Sequence, residues 1–209
     1  MPRSIARILH AVAFLVAVSC VFIFVGCRAS SGPYAPQTDV DRNPIEAQRL
    51  TMRAADALSR NPPKLDDAEK LLRQALTADL YHGPAHNDLG VVCLKKGDLY
   101  AAASEFEWAK KLMPSHPDPR LNLGLTLERA GRTTDAQSAY ASALEVYPGH
   151  IPTLQALTRL EVKHHLADDH TRDQLAKIAL EGDGAVWREW AKRTLLLGNS
   201  ATSTARPSD

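Results

Sequence analysis

Between Leu89 and Pro148 the chain says nearly the same thing twice, 34 residues apart. Leu89, Gly90, Gly97, Ala102, Phe106, Ala109 and Pro114 are followed at that interval by Leu123, Gly124, Gly131, Ala136, Tyr140, Ala143 and Pro148. A repeat of this length is a helix–turn–helix unit that cannot bury its apolar face alone and must stack on its neighbours. The chain is therefore expected to be an all-α helical solenoid.

The residues within each unit fit that expectation. Leu89, Val92, Cys93 and Lys96 follow one side of a first helix. Gly90 and Gly124 fall mid-helix, where glycine costs about 1 kcal/mol relative to alanine, so a neighbouring helix backbone is expected to approach closely there. Gly97 and Gly131 suit the left-handed position that ends a helix. Thr134 with Gln137, and Asp66 with Glu69, have capping-box spacing for the start of the second helix. Ala102 with Ala109, and Ala136 with Ala143, line one face with small residues, and Phe106 and Tyr140 fill the space between them. Pro114 and Pro148 stop the second helix.

These residues resemble the tetratricopeptide repeat (TPR) family: Leu-Gly in the first helix, Gly97-Asp98 at the turn, then alanine, an aromatic, alanine and proline. Gly131-Arg132 keeps only the glycine, and His86 and Arg120 stand where the family carries an early aromatic residue. A degenerate copy spans 49–82, with Ala68, Leu72 and Ala75 in phase, Asn61-Pro62-Pro63 replacing the turn, and Leu80 in the proline position. The resemblance implies a right-handed TPR solenoid of three repeats, 49–82, 83–116 and 117–150. Residues 151–197 are expected to be covering helices that close its last apolar face, anchored by Trp187 and Trp190.

At the N-terminus, Arg3 and Arg7 precede an uncharged apolar run from Ala11 to Gly26. This is a basic segment followed by a hydrophobic one, the layout of a targeting element. The run ends Phe24-Val25-Gly26-Cys27, which resembles a bacterial lipoprotein signal with Cys27 as the lipidated residue. The alternative is an uncleaved anchor, although a spanning helix needs about 20 apolar residues, and this run must begin near Ile8 to reach that length. Either way, 1–27 is a signal or anchor, and the rest is expected on the extracytoplasmic side of a bacterial envelope membrane. Residues 28–48 have the Ser, Gly and Pro content of a flexible linker, and 198–209 are expected to form a disordered tail.

Loss of 1–27 removes two arginines and no acid, taking the net charge from +1 to −1. Without basic runs, such a balance argues against nucleic-acid binding. Cys20 would leave with the signal and Cys27 would carry lipid, so Cys93 remains as a small apolar core residue with no disulfide partner. Neither a phosphate-binding loop nor a nucleophile motif is present, and no cofactor, metal or catalytic residue is expected.

Histidines 82, 116 and 150 share the repeat period, one per successive loop. Stacked units lie about 10 Å apart or more and zinc–nitrogen bonds are about 2 Å, so they are expected to mark phase rather than share a metal. The cluster His164, His165, Asp168, Asp169 and His170 is the one candidate for a metal-dependent function. Its alternative is a helix end followed by an N-cap at Asp169 or His170 leading into Thr171.

The resemblance places the functional surface on the concave face lined by first helices. It implies Asn87, Val91 and Lys95 from one repeat and Leu121, Leu125 and Glu128 from the next. Arg53 and Ala57 would come from the degenerate repeat, and Gln155 and Arg159 from the covering helix. Asn87, Lys95 and Asn122 echo the family's clamp for a peptide carboxylate without completing it. The expectation is a non-catalytic scaffold, adaptor or assembly factor that holds an extended or helical protein segment. Self-association, or filling of the groove by this protein's own linker, is the competing occupancy.

Overall fold

The computed structural model describes residue 38 and residues 41–203, with side chains through Gly198. Residues 1–27, where a signal or anchor ending at Cys27 is expected, most of the expected linker and residues 204–209 lie outside the described residues. Nine helices and no strands occur among the described residues. They are α1 (Pro44–Leu58), α2 (Leu65–Ala78), α3 (Gly83–Lys96), α4 (Leu99–Leu112), α5 (Asp118–Arg129), α6 (Thr133–Val146), α7 (Ile151–Lys163), α8 (Asp169–Glu181) and α9 (Gly184–Ser203).

Each helix packs on the next in the chain. The first helices also touch one another, α1 on α3, α3 on α5 and α5 on α7, and form one continuous wall. This is an all-α helical solenoid. At the α3–α4 turn Gly97 adopts φ +85°, and the N–H of Asp98 donates to the Cys93 carbonyl. Gly131 repeats this at φ +74°, with the Arg132 N–H on the Leu127 carbonyl.

The mid-helix glycines serve a different purpose from the one expected. A Cβ on Gly90 would stand 2.6 Å from Cε1 of Phe106, and one on Gly124 would stand 2.5 Å from Cδ1 of Tyr140. The close neighbour is the aromatic ring of the partner helix rather than its backbone. Phe106 and Tyr140 are fully buried, and Ala102, Ala109, Ala136 and Ala143 beside them are equally inaccessible.

The position that lacks its early aromatic residue is filled by a histidine. His86 is fully buried, stacks on Trp108 with centroids 5.6 Å apart, and has Nδ1 2.7 Å from Glu105 Oε2. Its Nε2 lies 2.8 Å from the Leu80 carbonyl, which can only accept, so Nε2 donates.

Several local expectations are corrected. Thr134 and Asp66 both stand inside their helices: Arg132 and Lys64 occupy the cap positions, and neither makes a side-chain cap bond. The working caps are Asn43 on the N–H of Glu46 and Asp98 on that of Ala101. Asp168 with Thr171 forms a complete capping box on α8, so the cap there is Asp168, not Asp169 or His170. The linker ends earlier than expected, because Asn43-Pro44 already starts α1, and the tail begins later, because α9 continues to Ser203. Trp187 and Trp190 meet edge to face at 5.5 Å and pack against a core of Leu154, Leu175, Ile178, Ala179 and Ala191.

Candidate functional site

The wall of first helices presents residues spaced one turn apart. Asn87, Val91 and Lys95 run along α3, Leu121 and Leu125 along α5, and Gln155 and Arg159 along α7. Asn87, Val91, Leu121, Leu125 and Arg159 are half-buried and Lys95 is exposed, as suits a groove lining.

The degenerate repeat enters in a different register. Helix α1 buries Ala47, Leu50, Thr51 and Ala54, whereas α3 buries His86, Leu89, Gly90 and Cys93. The offset is 39 residues throughout, five more than the repeat. One extra residue lies in α1 and four in the loop of residues 59–64, which replaces the two-residue Gly97-Asp98 turn. The counterparts of Asn87 and Val91 are therefore Gln48 and Met52. Arg53 lines a separate depression with Asp67, Lys70 and Gln74 of α2, and Ala57 is 7% exposed within the core. Asn43-Pro44 was the available signal for this register, since an N-cap followed by proline marks a helix start.

The corrected register brings apolar residues into the groove. Ile45 and Met52, two turns apart on α1, are 82% and 61% exposed. In this register Met52 falls in one row with half-buried Val91 and Leu125, an apolar strip across the first three first helices, with Leu121 one turn away on α5 and Ile45 two turns away on α1. Beside it, Asn122 Nδ2 donates to Asn87 Oδ1 at 3.0 Å and ties α5 to α3.

At the α7 end the groove becomes polar. A depression of about 350 Å³ is lined by Leu94, Leu125, Glu128, Arg129, Arg159 and Lys163. Glu128 serves as its hub: Arg159 Nη2 donates to Oε2 at 2.8 Å, the Tyr140 hydroxyl donates to Oε2 at 3.1 Å, and Lys163 Nζ stands 3.8 Å from Oε1. Burial, together with the carboxylate beside it, pushes the Tyr140 phenol above its ordinary range. Glu128 therefore holds three elements together rather than presenting an open carboxylate. Gln155 is 4% exposed, so it is part of the packing and not of the accessible lining.

The remaining polar candidates resolve locally. His116 and His150 both approach Asp118, at 3.6 and 3.3 Å, so a carboxylate links two of the three periodic histidines across adjacent repeats. The 164–170 cluster is the end of α7, with His165 at φ +57° and the Leu166 N–H on the Glu161 carbonyl, followed by the Asp168 cap. Among the described residues, no three His, Cys, Asp or Glu side chains are placed to hold a metal ion. No helix of the described residues is long and apolar enough to cross a membrane.

Comparison with known proteins agrees with this geometry. No family model matches the chain. It is 28% identical over 157 residues to the TPR repeat-containing protein PA4299 of Pseudomonas aeruginosa, an alignment covering 62% of this chain and 64% of that protein. It is also 28% identical over 103 residues to Tetratricopeptide repeat protein 8 of Mus musculus, covering 48% of this chain and 19% of that one. The chain thus spans less than two thirds of either relative. Among solved structures it resembles the first TPR of Spaghetti (RPAP3) bound to an HSP90 peptide, with a TM-score of 0.56 at 17% identity, over 62% of this chain and 99% of that one. The fold is that of a TPR solenoid.

Proposed function

We propose that this chain is a non-catalytic adaptor or assembly factor that holds a segment of a protein partner in its concave groove. The observation that carries the reading is the exposed apolar strip on the first-helix wall, from Ile45 and Met52 to Leu121 and Leu125. Two side chains as large and exposed as Ile45 and Met52, continued by half-buried apolar neighbours, offer anchor sites to an incoming segment. TPR relatives and a peptide-bound neighbour of the same fold support this class of function.

The protein works at a bacterial envelope membrane, tethered through lipid on Cys27 and facing the extracytoplasmic side. Its support is the sequence Phe24-Val25-Gly26-Cys27 behind a basic start and an apolar run.

A photo-crosslinking residue placed at Val91 or at Leu125 in the full-length protein, expressed in its native cells, tests the groove. The expected outcome is an adduct with a distinct protein, mapped by mass spectrometry to one contiguous segment and absent when the same residue replaces exposed Glu145. Adducts containing only a second copy of this chain would make the groove a self-association surface. No adduct at either position would sink the reading.

A further inference from the structure

A second groove lies on the outer side of the repeats, away from the first-helix wall. Helices α4 and α6 do not pack closely on each other, and a depression of about 680 Å³ opens between them. Its walls are small residues, Ala103 and Ser104 on α4 with Ser138, Ala139 and Ser142 on α6. Its floor is Leu123 and Leu127 from α5, and half-buried Trp108 borders it. At the preceding junction the α2 residues equivalent to Ala103, Ser104, Glu107 and Trp108 are Glu69, Lys70, Arg73 and Gln74, all with long polar side chains. At Ala103 and Ser104 the α4 wall is thus built of smaller side chains than α2 carries at Glu69 and Lys70.

The charges around it are unequal. Lys110 pairs with Glu107 at 2.7 Å, and Arg132 pairs with Asp135 at 2.7 Å. Lys111 and Arg120 meet no carboxylate among the described residues. Lys111 Nζ lies 5.7 Å from the Trp108 ring centroid, while Arg120 donates to the Ser142 hydroxyl and the His116 carbonyl, both at 3.2 Å. Lys111 is in the last turn of α4 and Arg120 in the first turn of α5, across one short loop, so both cations stand at the same end.

We infer that this outer groove is a second docking site, taking an extended protein segment with an apolar residue over Leu123 and Leu127 followed by acidic residues at Lys111 and Arg120. Along α4 the groove runs from Tyr100 to Lys111, which at about 1.5 Å per residue is some 16 Å. That length takes about five residues of extended chain at about 3.3 Å each. The uncompensated cations select negative charge, and the recessed apolar floor selects a side chain over a flat anionic surface. A segment of this kind leaves the concave groove free, so one chain can hold two partners at once.

The test is selection of bead-displayed random decapeptides on the full-length protein in detergent micelles. Selected peptides are expected to carry an apolar residue beside an acidic pair, and to change a tryptophan emission component that is absent in Trp108→Phe. Lys111→Glu with Arg120→Glu is expected to weaken their binding about tenfold or more, and exposed Lys111→Glu alone in the same direction. Leu125→Glu in the concave groove is expected to leave it unchanged. The proposal is overturned if no peptide is selected, if replacing the acidic pair by Gln-Gln leaves binding intact, or if Leu125→Glu abolishes it while the charge reversals do not. It is also overturned if vesicles with one third phosphatidylglycerol bind in a Lys111- and Arg120-dependent way and peptides do not, which would make the surface a membrane contact.

Discussion

The ring of Tyr140 on α6 occupies the space that a Cβ on Gly124 of α5 would need: Cδ1 would lie 2.5 Å from it. Gly90 and Phe106 repeat the arrangement one unit earlier. Both rings are fully buried, so neither can swing into solvent to make room. The helix pair is locked by a missing methyl group on one side and an aromatic face on the other.

Gly124→Ala therefore sets two effects against each other. Alanine favours the helix by about 1 kcal/mol, whereas overpacking a close-packed core costs about 1–3 kcal/mol. The overpacking is expected to win, with a lowered midpoint in chemical denaturation. A stabilised variant would show that the ring can retreat. Tyr140→Leu in the same chain is expected to recover part of the loss.

The buried pair of His86 and Glu105 predicts strong non-additivity. His86→Phe removes one partner of a buried hydrogen-bonded pair, a change that costs about 1–3 kcal/mol. Adding Glu105→Leu is expected to restore much of that stability, because a well-packed apolar pair replaces both polar groups. A double variant as unstable as the sum of the singles would mean that the two side chains are not coupled.

Asp79 predicts how the first repeat responds to acid. Its side chain is 2% exposed, and Arg42 Nε donates to Oδ1 at 2.8 Å. Burial pushes this carboxyl up, but the Arg42 guanidinium and the Tyr81 N–H outweigh it and hold the group below its ordinary value of 3.8. A lowered native value stabilises the fold fully above pH 3.8, and that stabilisation is lost as pH falls through the lower native value. Asp79→Asn is expected to cost about 1.5–3 kcal/mol at neutral pH. The gap between variant and parent should narrow below pH 3.8; a constant gap down to pH 2 would contradict the assignment.

Cys93 predicts silence toward alkylation. Burial pushes its thiol up to about 11, with Glu105, Glu69 and Asp98 adding to the shift. At pH 8 the Cys93 peptide is expected to stay unlabelled by iodoacetamide in the native protein and to be fully labelled in denaturant. Native labelling at the denatured rate would place Cys93 outside the core.

Cys27→Ser is expected to leave a longer precursor without lipid, detected as an increased mass and altered fractionation with membranes. A processed mass unchanged from that of the parent would overturn the lipoprotein reading.

The 34-residue phase was enough to determine an all-α solenoid, the places of its helix-ending glycines, and the pairing of small residues with Phe106 and Tyr140. Those features depend on local conformational preference and on side chains that recur at one spacing, both of which are written in the order of residues. The first repeat escaped this logic. The longer loop at residues 59–64, together with one extra residue in α1, shifts that helix by five residues, and packing against α3 makes Met52, not Ala57, the counterpart of Val91. The roles of polar residues were also decided in three dimensions. Glu128 turned from a groove acid into a hub for Tyr140 and Arg159, and His86 replaced an aromatic core residue by finding Glu105 nineteen positions away. A carboxylate or an imidazole takes its meaning from the partner it meets, and that partner comes from another helix whose distance only the folded chain sets.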